Sequence, residues 1–298
     1  MKLKSLIQYV CFLSIIAMFS ACGSSSDSDN LTSNDTASVA AQEKNEKAQK
    51  VFLSIPSPIE TTTLLQTAGA KYNSKYLNPI ENVSKYSSIT DKALNLGIYG
   101  SDLSFTSIFS QTQESMLYLR CTNTLASSLG INGAFDESTT ARIEANLENK
   151  DSLLSIISDS YWISDSYLKE NGQPGVSALI VAGGWIEGLY IATQIANTTK
   201  NETIISRIGE QKLSLDNLIE LLNSYKTDNE GITDLLNRLL PLKKIYDGIT
   251  VEPSETTAST DKESGVTTVG NSSTIKLTLE QLKQITDKAA EIRKKIVQ

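Results

Sequence analysis

The sequence predicts an all-α domain, an irregular multi-helix bundle over residues 43–298, carried on a flexible N-terminal tether. Three observations lead there. Helix caps and stops recur along the chain, while strand alternation is nearly absent. One apolar stretch, GVSALIVAGGWIEGLYIATQIA at 175–196, suits the buried centre of a bundle. At the C-terminus, Leu282, Ile285, Ala289, Ile292 and Ile296 share one helical stripe with charges elsewhere, so that face must dock. The same domain is its simplest partner, and another protein the alternative.

The chain opens with Lys2 and Lys4, then an apolar run from Leu6 to Phe19 that is too short to span a bilayer core. Ser20 and Ala21 are small, and Cys22 follows. Together these parts resemble a bacterial lipoprotein signal peptide with its lipobox, from which Phe19 departs where Leu is usual. The resemblance implies removal of residues 1–21, a diacylglyceryl thioether on Cys22 and an acylated amino terminus. Several acyl chains hold a protein on a membrane far more firmly than one, at ~0.8 kcal/mol per buried methylene. An ordinary cleaved signal with a chance cysteine is the alternative. Residues 22–42 are small, polar and acidic without periodicity, as a tether is. Asp27 and Asp29 in it resemble surface-export tethers of Bacteroidota lipoproteins, and Asp35-Thr36-Ala37 resembles the short O-glycosylation motif of that phylum.

In the body, Ser57, Pro58 and Glu60 spell a capping box ahead of a short helix that Gly69 stops, although Thr61 to Thr63 are poor helix formers. Apolar residues from Phe105 to Ala126 repeat at helical spacing, which predicts one helix over about 101–129 with Gly130 as its stop. Helices near 137–149 and 151–170 follow, the second closed by Asn171-Gly172. KLSLDNL at 212–218 and KLTLEQL at 276–282 look like one capping solution used twice. Ser214 or Thr278 would be the cap, with Leu213–Leu218 or Leu277–Leu282 as a hydrophobic staple. TDNEGITD at 227–234 reads as a turn between helices, and Pro241 is expected to interrupt and kink the helix that follows. Residues 250–273 are polar and unpatterned, and read as a mobile insert.

Composition excludes whole classes of chemistry. The chain has 298 residues, with 27 Lys and Arg against 34 Asp and Glu. Without Lys2 and Lys4 the mature balance is 25 against 34, or −9. Such a protein has no electrostatic reason to bind nucleic acid or anionic lipid, so its membrane link would be the acyl chains on Cys22. There is no histidine, which removes Ser-His-Asp and Cys-His catalysis and every histidine-containing metal site. Cys11 leaves with the leader and Cys22 is acylated, so Cys121 stands alone and reads as a small buried apolar residue. Neither a phosphate loop, an EF-hand nor a GxSxG elbow occurs, and no metal or cofactor is expected.

Two segments offer ligand-facing residues. Glu187 lies in the middle of the apolar stretch, and Tyr190, Gln194 and Asn197 continue from it in steps of three, four and three. That alignment predicts a polar strip, either a solvent-facing edge or a groove in which Glu187, Tyr190 and Gln194 meet a ligand. The stretch KYNSKYLNPIENVSKY at 71–86 concentrates Tyr72, Tyr76 and Tyr86 with Asn73, Asn78 and Asn82. Tyrosine and asparagine suit sugar or peptide binding, or a well-packed irregular loop. The combination YNSKYLNP, LNLGIYGSDLSF and GGWIEGLY resembles a group of uncharacterised Bacteroidota lipoproteins, which implies localisation and no activity. The expected function is therefore a lipid-anchored envelope protein, placed at the outer membrane by that resemblance, acting as a non-catalytic binding or accessory module for an envelope partner or small ligand. The alternative is a glycosidase-like hydrolase working with carboxylates alone, drawn from Glu187, Asp102 and Glu114.

Overall fold

The apolar stretch at 175–196 becomes the axis around which the other helices assemble. The structure, a computed structural model, describes residue 51 and residues 54–131, 137–146, 149–252, 257–260, 267–270 and 274–298. The leader, Cys22 and the tether at 22–42 lie outside those residues. In chain order the described helices are α1 (Pro58–Thr67), α2 (Ile89–Ile108), α3 (Thr112–Ser128), α4 (Glu137–Ala145), α5 (Lys150–Glu170), α6 (Pro174–Thr199), α7 (Glu202–Ser224), α8 (Glu230–Asp247) and α9 (Leu279–Val297). Two 3-10 turns, Ser74–Tyr76 and Ile80–Lys85, separate α1 from α2. The architecture is the expected all-α bundle.

Helix α6 packs on α2, α5, α7, α9 and α1, so almost its whole circumference is buried. It is long and apolar enough to cross a membrane, yet 89% of its most apolar window is inside the bundle, which marks a core helix. Glycines set how closely its neighbours approach. A Cβ on Gly97 would lie 2.0 Å from the Ile180 carbonyl oxygen, and one on Gly183 1.9 Å from that of Leu94. The α2 and α6 backbones therefore touch where they cross. On another face, Gly184 and Gly188 receive Pro58 and Thr61 of α1, 3.1 and 3.2 Å from where a Cβ would stand.

The capping arguments hold where a cap stands at a true chain reversal. Ser57 and Glu60 form a reciprocal capping box, with bonds of 2.7 and 3.2 Å. Thr278 and Gln281 form another, and α9 docks its predicted stripe on α6, α8 and α2 of the same domain. Asn229 caps α8, so the turn between α7 and α8 ends there, and residues 230–234 of the expected turn already belong to α8. Gly130 and Gly172 take positive φ after α3 and α5, where a left-handed residue closes the last turn.

Four expectations are corrected. The single helix over 101–129 is two helices, α2 and α3, reversing at Phe109–Gln111. Ser110 takes φ +58, so the break occurs without glycine or proline, and apolar residues at helical spacing on either side conceal it. The 212–218 segment is no helix start. α7 begins at Glu202, capped by Asn201, and Ser214 is buried in its interior. Leu213 is 68% exposed and staples nothing. Helix α8 runs through Pro241 without interruption. The 250–273 insert is not unpatterned. Its described residues hold β2 (Thr257–Thr260) paired antiparallel with β3 (Thr267–Gly270), Ala258 facing Val269. At its base β1 (Val251–Glu252) pairs antiparallel with β4 (Thr274–Ile275). Threonine-rich strands with little apolar residue form this ribbon, so hydrophobic alternation never announced it.

Candidate functional site

Glu187 sits midway along α6 with none of its surface exposed. Arg293, from the last turns of α9, donates from Nε to Oε2 at 2.6 Å and from Nη2 to Oε1 at 2.7 Å. The pair is bidentate, the geometry in which a guanidinium best compensates a desolvated carboxylate. Arg293 also donates to the Tyr76 carbonyl at 3.2 Å, and its guanidinium lies 4.3 Å from the centre of the Tyr190 ring. Glu187 thus faces neither solvent nor a groove, while Tyr190, Gln194 and Asn197 of the expected strip are half-buried. The C-terminal helix closes over Glu187.

A second carboxyl group belongs to the same cluster. Asp102 of α2 is 0% exposed; its Oδ2 accepts the Asn78 N–H at 3.1 Å, and no donor among the described residues reaches Oδ1. Burial, and next the neighbouring Glu187, push its pKa well above the usual carboxylate range. With both carboxyl groups fully buried and the guanidinium of Arg293 bonded to Glu187, the neutral form of Asp102 is the one its surroundings favour.

The tyrosine- and asparagine-rich stretch is the clasp on this cluster. Asn78 donates from Nδ2 to the Tyr86 hydroxyl at 3.0 Å, and its carbonyl accepts the Tyr118 hydroxyl at 3.1 Å. Asn82 donates to Asn78 Oδ1 at 2.9 Å and to the Val297 carbonyl at 3.3 Å, while Asn95 donates to the Ile296 carbonyl at 3.0 Å. The last carbonyls of α9, which have no partner within the helix, are satisfied by these amides. Asn82 and Asn95 therefore hold the end of a helix, which is the arrangement the packed-loop alternative describes.

The other ligand-facing candidates disperse. Tyr72 is half-buried against Phe105 and Phe109, and its hydroxyl donates to Glu114. Tyr76 is half-buried, with its hydroxyl 3.5 Å from that of Thr198. Gln194 is half-buried, and its carbonyl accepts the Thr198 hydroxyl. Only Glu187, Tyr190 and the Tyr76 backbone meet, all around Arg293. Among the described residues no group of three or more acidic or cysteine side chains is arranged to hold a metal. Cys121 is buried, and burial pushes its thiol up to about 11.

Sequence reasoning missed an apolar cleft. A cleft of about 310 Å³ lies between the chain entering α1 and the α5–α6 pair, walled by Ile55, Pro58, Ile59, Trp162, Ile180 and Val181. At its α5 wall the Tyr161 hydroxyl is buried without a partner among the described residues, pressed where a Cβ on Gly100 would stand. A signal was present: Tyr161, Trp162 and Ile163 are consecutive, and a helix that turns only one face to the core leaves part of such a run outside it. Trp162 and Ile163 are each 42% exposed. The chain matches no protein-family model, no curated protein and no solved structure.

Proposed function

We propose that this chain is a lipid-anchored protein of the bacterial envelope, held at the outer membrane through Cys22, whose helical domain is a non-catalytic binding module for a small, largely apolar ligand. The observation that carries the binding reading is the cleft beside Trp162. Its volume of about 310 Å³ is at the small end of the ligand-pocket range, and its walls are mostly aliphatic and aromatic. The carboxylate-hydrolase alternative is less well supported. Such an enzyme needs two carboxyl groups open to substrate, about 5 to 10 Å apart. Asp102 and Glu187 adjoin but are both 0% exposed, Glu187 is locked to Arg293, and Glu114 accepts the Tyr72 hydroxyl.

The test uses N-phenyl-1-naphthylamine, a neutral apolar dye, with the full chain carrying Cys22→Ala. Saturable one-to-one binding is expected, together with a change in tryptophan emission. Val181→Phe, which fills the cleft from α6, should weaken binding at least tenfold while leaving the helical circular dichroism unchanged. Absence of saturable binding, or equal binding by both proteins, would refute the cleft as a ligand site.

A further inference from the structure

We propose that Asp102, Glu187 and Arg293 form a proton-operated latch on the C-terminal helix: a proton carried by Asp102 lets a single guanidinium neutralise the cluster, and its loss loosens α9 from the core. The argument begins with a charge count. Two carboxyl groups from α2 and α6 meet one cation from α9, and all three side chains are buried. Arg293 gives Nε and Nη2 to Glu187 and Nη2 also to the Tyr76 carbonyl, and no donor among the described residues reaches Asp102 Oδ1. An ionised Asp102 would have one backbone N–H as its only donor among the described residues. Protonated, Asp102 is neutral, and one guanidinium with one carboxylate leaves the cluster no net charge.

No other group that faces Asp102 can take over the titration. Tyr99 faces it from its own helix, Tyr72 and Tyr86 from the stretch before α2, Tyr118 and Cys121 from α3, Tyr161 from α5, Tyr190 beside Glu187 from α6, and Arg293 from α9. Burial raises every one of these phenols, and the thiol is pushed to about 11. Below the range in which the thiol and the phenols titrate, the proton that can leave is the one on Asp102.

The cluster is wired to the fastenings of α9. Asn78, whose N–H holds Asp102, is bonded to Asn82 and Asn95, and these hold the carbonyls of Val297 and Ile296. Removing the proton sets two buried anions against each other at this point. The linkage has a definite sign. An unfolded Asp titrates near ~3.9, and the folded Asp102 well above that. The stabilising proton is therefore fully present below the unfolded value. Above about pH 4, Asp102 lowers the folding equilibrium constant up to tenfold per pH unit, until the folded carboxyl itself ionises.

Amide hydrogen exchange of the full chain from pH 6 to 9.5, corrected for the intrinsic pH dependence of exchange, reads the latch directly. Protection of α9 should fall at least tenfold relative to α2 in the wild type, and stay level in Asp102→Asn, which keeps the shape and a permanent hydrogen-bond donor. Level protection in the wild type, or an equal fall in both proteins, overturns the proposal. Should Asp102→Asn not fold, infrared spectroscopy of the wild type decides. A buried protonated-carboxyl band at pH 7 that fades together with α9 protection supports the latch, and absence of that band at pH 7 overturns it.

Discussion

Arg293 and Glu187 are 106 residues apart in the chain and are joined by two hydrogen bonds of 2.6 and 2.7 Å inside the core. This one contact ties the last helix to the middle of the central one. A pair so enclosed adds less to stability than its Coulomb attraction suggests, because both ions were taken out of water to make it. Losing one member is a different matter, since the other is then buried and uncompensated.

Arg293→Met should lower the free energy of unfolding by about 3–5 kcal/mol, measured by urea titration. Glu187→Leu combined with Arg293→Met should recover most of that loss, because a neutral packed pair carries no desolvation penalty. A single-mutant loss below about 1 kcal/mol would contradict the closed geometry.

The α2–α6 crossing makes a sharper steric prediction. Gly183→Ala places a methyl group 1.9 Å from a backbone oxygen, which no side-chain rotation relieves, so the helices must separate. A loss of about 2–3 kcal/mol is expected, visible as a lower urea midpoint. Gly188→Ala meets only the Thr61 methyl, at 3.2 Å, which can shift, and should cost less than about 1 kcal/mol. Equal effects of the two would show that the helices do not cross this closely.

Cys22→Ala should move the protein from the membrane fraction to the soluble fraction and abolish labelling by a palmitate analogue. On the proposed anchoring, a chain this acidic has no electrostatic hold on anionic lipid, and acyl chains would supply the attachment. Retention and labelling that are unchanged by the substitution would remove Cys22 as the anchor.

Legibility in the sequence followed whether the signal was local. Ser57 with Glu60, Thr278 with Gln281, and the positive-φ glycines 130 and 172 act within a turn of their own backbone, and each works as its residue type implies. Ser110 and Ser214 show the limit. The first breaks a helix with no breaker residue, and the second carries a cap signature inside a helix that had already begun. Which of these happens depends on whether the neighbouring turns are themselves helical, and that is decided by packing.

Glu187 shows the same limit for the site. Its sequence context required that the charge reach solvent, pair with a cation or line a cleft. Nothing within α6 could choose among these, because the deciding residue stands on α9. The cleft beside Trp162 likewise exists only because the entry to α1 lies across α5 and α6. The sequence by itself determined the helical class, the caps and the face of α9 that had to be buried, since side-chain periodicity and backbone capping act over a few residues. Only the tertiary structure decided that Asp102, Glu187 and Arg293 share one buried site, because a charge must be compensated by whatever the fold brings within a few ångströms, however distant in the chain.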